Sequence, residues 1–369
     1  MLAGPQTTMW IWGNEILLGF ALGEYLADSR GGHHISGPRM TRFARSLDGG
    51  RTWSVETPQN VDGPADQTLP GGINFSHQDF AWQLQLASDD VHRGPSSCAI
   101  SYNRGRTWAG PYLVPKIGLG VITRTDYIVE SRDECTAMFT CSKPSLDGQG
   151  ILEGRVGCVR TNDGGRSFHL VGWTGDVPAG YEIMPSTVRC SSTRLVTAIR
   201  CGLTNDDSFL SVRRSDDNGA SWRETKRFPF KWNSSPGALL RLKSGLLALS
   251  FADRGRLAVF GTISSDDGLT WSEPVALRDD CANWDMGYSK GVLRDDGTIV
   301  TAYYYVTQDR PEPHIAATLW RPEAFASDDN LFLSRPRYTL ANCFTAAFPQ
   351  PSTSSPIQEL KLAQHRRSA

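Results

Sequence analysis

The sequence predicts an all-β chain, a six-bladed β-propeller over residues 1–345 followed by a disordered tail over 346–369. Three observations predict it. The octet "SLDGGRTW", residues 46–53, recurs as "SYNRGRTW" ending at Trp108, "TNDGGRSF" at Phe168, "SDDNGASW" at Trp222 and "SSDDGLTW" at Trp271. The aromatic position thus returns every 49 to 60 residues, a period that marks a repeated structural unit. Between octets the text reads as short strands, with no long stretch of helical period.

The octet is legible as a turn that carries its own plug. Its pattern is Ser/Thr-x-Asp-x-Gly-x-Ser/Thr-aromatic, with Asn103 in place of Asp in the second copy. An Asp side chain accepts hydrogen bonds from turn N–H groups, and Gly supplies the positive φ of a tight turn. The aromatic residue then opens the next strand and folds into the gap between sheets. Five copies of a motif point to scaffold, since an active site normally occurs once.

The units follow in order. The first opens with "TTMWIWGNE" and has a long loop, "GEYLADSRGGHHISGPR", after its second strand. The second is thin, with only "SDDVHRGP" between "FAWQLQLA" and "SSCAISY". The third contains "ITRTDYIV"; the fourth contains "EIMPSTVRC", "RLVTAIRC" and "FLSVRRS"; the fifth contains "LLALSFAD" and "LAVFGTIS". The segment "SKGVLRDDGTIVTAYYYVTQDRPEPHIAATLWRP" supplies three more strands without an octet, which makes a sixth unit. Units of about fifty residues with several short strands have the size of propeller blades. Few residues precede "TTMWIW", so the text offers "NLFLSRPRYTL" as the strand that closes the ring. The tail "PQPSTSSPIQELKLAQHRRSA" is polar and rich in Pro and Ser.

Bulk properties exclude several classes. With 38 basic against 39 acidic residues there is no basic excess to hold phosphate backbones, so no nucleic-acid partner is expected. No apolar run reaches membrane-spanning length, so no membrane partner is expected. The N-terminus has no basic region followed by an apolar stretch, hence no readable signal peptide. Location stays open between the cytoplasm and, if a leader is missing, an extracytoplasmic compartment. The eight cysteines form no C-x-x-C pair, which argues against structural zinc, and no cofactor is implied. They read as buried free thiols, although Cys190 and Cys201 flank a hairpin across which they could face each other. The oligomeric state is not readable.

The octets resemble the Asp-boxes, or bacterial neuraminidase repeats, of the sialidase superfamily. Stretches such as "WGNEILLGFALG", "GYEIMPSTVR" and "NWDMGYSKGVLRDDGT" look most like bacterial sialidase-like proteins. The resemblance covers roughly residues 10 to 322. It implies a glycan partner and an exo-acting glycoside hydrolase that releases a terminal acidic sugar. A sialoside carries a carboxylate on its anomeric carbon, which arginine forks grip and a carboxylate nucleophile would be repelled by. Sialidases use a Tyr nucleophile with a Glu partner instead. The resemblance places that Tyr at Tyr288 in "MGYSKGVL", the Glu at Glu182, and two carboxylate-binding arginines at Arg200, eighteen residues on, and Arg254, seventeen before Trp271.

Two family features lack a direct match. The family's first Arg opens blade 1, where "TTMWIWGNE" has none, so Arg124, Arg39 or Arg30 would supply that fork. The family's acid is an Asp in the blade 1 loop, where Asp28, His33 and His34 are the candidates. Asp79, Arg124 and Asp126 sit where inner strands begin, Asp285 is a further acid or base, and Trp284 is a platform for a sugar face. Each has a plainer reading: Tyr288 as a strand aromatic, Glu182 as a solvated charge, Asp79 and Asp126 as turn formers, Arg200 and Arg254 as partners of Asp206, Asp207 or Asp253. Two other functions fit the same text. One is a glycan-binding propeller without catalysis. The other is a two-carboxylate glycosidase pairing Asp285 with Asp79 or Asp126.

Overall fold

In the computed structural model, the described residues are 2–27, 33–87, 92, 94–122, 124–145, 150–204, 206–322 and 339–341, with backbone alone at 2–7, 27, 33–38 and 339–341. They form six antiparallel sheets arranged as a six-bladed β-propeller, with no helix beyond a single 3₁₀ residue. Blade 1 holds β1 (Leu2–Trp12), β2 (Glu15–Ala27), β3 (His33–Ser46) and β4 (Ser54–Glu56). Blade 2 holds β5 (Ala81–Leu86), β6 (Ser96–Ser101) and β7 (Ala109–Leu113). Blade 3 holds β8 (Tyr127–Val129), β9 (Cys135–Pro144), β10 (Ile151–Thr161) and β11 (His169–Trp173). Blade 4 holds β12 (Tyr181–Arg189), β13 (Leu195–Gly202), β14 (Ser208–Ser215) and β15 (Arg223–Phe230). Blade 5 holds β16 (Ala238–Arg241), β17 (Leu247–Asp253), β18 (Ala258–Ser264) and β19 (Val275–Arg278). Blade 6 holds β20 (Gly287–Leu293), β21 (Ile299–Thr307), β22 (Arg310–Trp320) and β23 (Thr339–Ala341).

Each octet joins the last two strands of its blade, so all five lie at one end of the ring. Ser46 Oγ donates to Asp48 Oδ1 at 2.9 Å and accepts the Gly50 N–H at 2.8 Å. Asp48 accepts the N–H groups of Arg51 and Thr52 and the Thr52 hydroxyl. Trp53 closes the turn by donating Nε1–H to Gly50 O at 3.0 Å. In the second copy Asn103 turns the last polarity round: its Nδ2 donates to Thr107 Oγ1 at 2.8 Å, which is why an amide serves there. The octet glycine is also where blades meet. A Cβ on Gly105 would stand 2.3 Å from Leu17 of blade 1, and one on Gly219 would stand 2.5 Å from Cys158 Sγ of blade 3.

These hydrogen bonds outweigh partial burial and hold Asp48 and Asp163 at about 2. Their native values lie below the unfolded ones, so their stabilisation is complete above the ordinary value of 3.8 and is lost as pH falls through about 2. Thermal melts from pH 5 down to pH 2 check this. Asp163→Ala is expected to cost about 1–2 kcal/mol at neutral pH, comparable to a lost cap, and Asp163→Asn less.

Blade 2 is thin in the structure as in the text: among the described residues it has no inner strand. Trp10 of β1 donates to the Tyr127 hydroxyl of β8 at 3.0 Å, bridging blades 1 and 3, and Trp82 packs edge-on to Tyr127. Among the described residues, no strand from the other end of the chain takes an inner position at the closure of the ring. β23, which includes Thr339 and Leu340 of "NLFLSRPRYTL", adds to the outer edge of blade 6. The seam between blades 6 and 1 is apolar, with Ile16, Leu18 and Ala44 against Val300, Ala302 and Ala317. The described cysteines are free thiols, Cys190 and Cys201 included. Cys343 and the tail 346–369 lie outside the described residues.

Candidate active site

The end of the ring opposite the octets carries the unusual backbone. First strands begin there, second strands end there and third strands begin there. β12 holds one extra residue between Ile183 and Ser186, and β20 holds one at the same place, between Gly287 and Lys290. β10 bulges between Glu153 and Arg155. The inner path of blade 3 spends two extra residues between Val121 and Tyr127, around Arg124. Bulges re-aim side chains, and here they cluster at one mouth.

Arg200, near the end of β13, is the centre of this mouth and is buried. Its Nη1 donates to the Tyr288 hydroxyl at 3.2 Å and reaches Met184 Sδ, and its Nη2 donates to Asn233 Oδ1 at 2.8 Å. All three partners have left-handed backbones: Met184 at φ 54°, Asn233 at φ 33° and Tyr288 at φ 59°. Most other non-glycine residues with positive φ sit in tight turns, so the three around Arg200 mark a site that the surrounding fold over-determines. Ser235 Oγ holds the Tyr288 N–H at 2.7 Å, and a Cβ on Gly287 would meet that same oxygen at 2.5 Å.

Arg254 follows β17 and is also buried. Its Nε donates to Met286 O and its Nη2 to the Tyr304 hydroxyl, both at 2.8 Å. Neither Arg200 nor Arg254 pairs with a neighbouring aspartate; Asp253 instead accepts the N–H groups of Gly255 and Arg256. Burial opposes ionisation of the Tyr288 phenol, yet Arg200, Arg124 and Arg254 together bring it below its ordinary value of 10. Tyr304, beside it, is driven up by burial despite Arg254. The mouth therefore shifts two adjacent phenols in opposite directions, Tyr288 down and Tyr304 up.

Glu182 is placed differently from its expected role. It lies across from Cys201, one residue from the Ile183–Arg200 pair, so it shares the sheet face opposite to Arg200. There both its oxygens are taken by Arg213, with Arg213 Nη1 at 2.9 Å from Oε2 and Nη2 on Oε1. It makes no hydrogen bond to Tyr288. Asp79 lies at the octet end, before β5, where its Oδ1 accepts Arg104 Nε at 2.6 Å and its carbonyl accepts the Arg104 N–H. It is excluded from the Tyr288 mouth by the length of the blade, and the pairing of Asp285 with Asp79 falls with it.

Asp126 accepts the N–H of Thr187 at 3.1 Å and its hydroxyl at 2.8 Å, tying blade 3 to blade 4. Burial raises it to about 6 against the pull of Lys290 on β20 and of Thr187. Asp285 is buried beside Tyr304, and its N–H donates to Asn283 Oδ1. Trp284 meets Trp232 edge-on at 4.4 Å, with Arg254 5.9 Å from its ring. Arg39 is exposed on the blade 1 hairpin. Asp28 and Arg30, and the side chains of His33 and His34, lie outside the described residues. Asn233, Trp232, Tyr181 and Glu153 are site residues that the octet spacing did not point to. The glycine inside "LEGRV" was the one signal for the last, since Gly within a strand marks a bulge.

Ring, octet turns and an arginine-lined mouth define a sialidase-like propeller. Residues 91–301 match the family described as BNR repeat-like domain, and the chain belongs to that family. Among solved structures it is similar to a protein of unknown function from Dyadobacter fermentans, at 17% identity and TM-score 0.66 over 86% of this chain and 94% of that one. It is similar to the Hadza microbial sialidase Hz136 at 15% identity and TM-score 0.61, over 88% of this chain and 66% of that longer one. It is also similar to the α-L-arabinofuranosidase Arb93A from Fusarium graminearum at 12% identity and TM-score 0.55, over 88% and 98%. At these identities the likeness is one of fold. No curated protein matched the sequence.

Proposed function

We propose that this protein is an exo-acting glycoside hydrolase for a terminal sugar that carries a carboxylate, sialic acid or one of similar shape. One observation carries the reading: Arg200 of blade 4 donates to the hydroxyl of Tyr288 from blade 6, and the charges of Arg124 from blade 3 and Arg254 from blade 5 act on the same phenol. Such a cluster suits a substrate with an anion beside the reacting carbon, and it favours the phenolate as nucleophile. Arg254 Nη1 makes no hydrogen bond, so a donor remains for a carboxylate. Trp284, with Trp232, supplies an apolar wall for a sugar face.

The test is release of fluorophore from an aryl α-sialoside, beside aryl uronides and neutral glycosides. Turnover of the sialoside or a uronide is expected, and Arg200→Met is expected to raise KM about 10- to 100-fold, the cost of a lost charged hydrogen bond. Turnover of neutral glycosides alone would overturn the reading. The engagement of Glu182 by Arg213 favours a second reading, glycan binding without hydrolysis. It predicts saturable binding of sialosides with no release.

A further inference from the structure

Glu182 is held by Arg213, Asp126 by Thr187, and Asp285 sits on the Tyr304 side of the mouth; one further carboxyl borders Arg124. Glu153 stands two residues into β10, at the same end of blade 3 as Arg124. The bulge at Gly154 aims it. Gly154 has φ 131°, and a Cβ there would lie 2.9 Å from Tyr181 Cα and 3.2 Å from Glu182 N. Only glycine lets this part of β10 press so closely on the start of β12. Glu153 Oε1 lies 3.7 Å from Arg124 Nη1, is buried, and makes no hydrogen bond. The side chain as a whole keeps 19% of its exposure. The Tyr181 hydroxyl is also buried without a partner, and the Tyr181 ring lies 5.7 Å from the Arg200 guanidinium.

We propose that Glu153 is the proton-transfer carboxyl of this site, protonating the leaving glycosidic oxygen and then deprotonating the water that completes hydrolysis. The role rests on the hydrolase reading above. Arg124 and Arg200 both act on the Glu153 carboxyl, and the same two arginines act on the Tyr288 phenol, so acid and nucleophile border one pair of cations. The groups around Glu153 are Arg124, Arg200 and His92, whose Nδ1 accepts the Glu153 N–H at 3.2 Å. Burial outweighs these cations and raises the carboxyl, while the phenol is lowered, the division of labour an acid and a nucleophile require. In the first step the Tyr288 phenolate oxygen, its proton already lost to solvent, bonds to the anomeric carbon. The bond to the aglycone breaks, and its electron pair takes the Glu153 proton. In the second step water bonds to that carbon, its proton passes to Glu153, and the Tyr288 oxygen leaves with its electron pair.

The test compares wild type, Glu153→Gln and Glu153→Asp on two substrates, an aryl α-sialoside and a sialyl-lactose. An aryl leaving group needs little protonation and a sugar alkoxide needs it fully. Glu153→Gln is expected to lose about 100-fold or more in kcat/KM on sialyl-lactose and less than about 10-fold in kcat/KM on the aryl sialoside, because kcat/KM reports the aglycone-releasing step, while kcat falls on both as the shared second step loses its base. Glu153→Asp should recover part of the loss. Equal losses in kcat/KM on both substrates, or no loss, would overturn the assignment. A wild type inactive on both would overturn the hydrolase reading and this role with it. In that case an ultraviolet titration of Tyr288, referenced to Tyr288→Phe, still reads the coupling. Glu153→Gln should lower its ionisation by about half a pH unit or more, and no shift would show the two groups to be independent.

Discussion

Tyr288→Phe is expected to abolish hydrolysis of an aryl α-sialoside, lowering kcat by about 10³-fold or more while leaving KM nearly unchanged. The substitution deletes one oxygen. The ring keeps its place beside Tyr304, 5.9 Å between centroids, and the backbone N–H keeps its bond to Ser235. Arg200 loses one acceptor but retains Asn233. Binding of the carboxylate should therefore survive, and only the covalent step should fail. Because three arginines bring the phenol below 10, kcat/KM of the wild type should rise with pH along a limb centred below that value. Retained activity within about threefold in the variant would exclude a Tyr288 nucleophile.

Glu182→Leu should act on stability. Glu182 and Arg213 are buried together, and removing one partner strands the other charge away from water. The expected loss is about 3–5 kcal/mol of unfolding free energy, read from denaturant melts. The double variant Glu182→Leu, Arg213→Leu should regain most of it, because two apolar groups replace a pair whose desolvation cost offsets its attraction. Glu182→Gln, which keeps an acceptor for Arg213, should keep kcat within a few-fold once the folded fraction is counted. A Glu182→Gln variant that folds fully yet loses about 10²-fold in kcat would restore Glu182 to the chemistry.

The fold was legible because its clearest signal is local and repeated. Each octet satisfies its own hydrogen bonds within eight residues, so five copies announce five blades before any tertiary contact is known. Spacing also singled out Arg200, Arg254 and Tyr288, which the fold brings to one mouth. It failed at Glu182 and Asp79 for two separate physical reasons. Side chains alternate along a strand, and the bulge after Ile183 changes the count, so one residue decides whether Glu182 meets Tyr288 or Arg213. Asp79 stands before the second strand of its blade, and second strands start at the octet end. The text of blade 2 looked like any other strand pair without a first strand, which hid that exchange of ends. Glu153 was not singled out because a third strand ordinarily lies far from the axis, and the Gly154 bulge that sets its direction is a one-residue irregularity with no repeat to mark it.

The three left-handed residues around Arg200 tie the durability of this protein to the shape of its mouth. A non-glycine residue held there costs about 1–3 kcal/mol, and Met184, Asn233 and Tyr288 each bear that cost in a chain whose net stability is small. Glycine at Met184 or Asn233 would relieve strain and loosen the wall that positions Arg200. Selection for heat resistance alone would therefore drift toward a quieter, slacker mouth. Selection for turnover would hold the strain and leave less tolerance for damaging changes elsewhere in the ring.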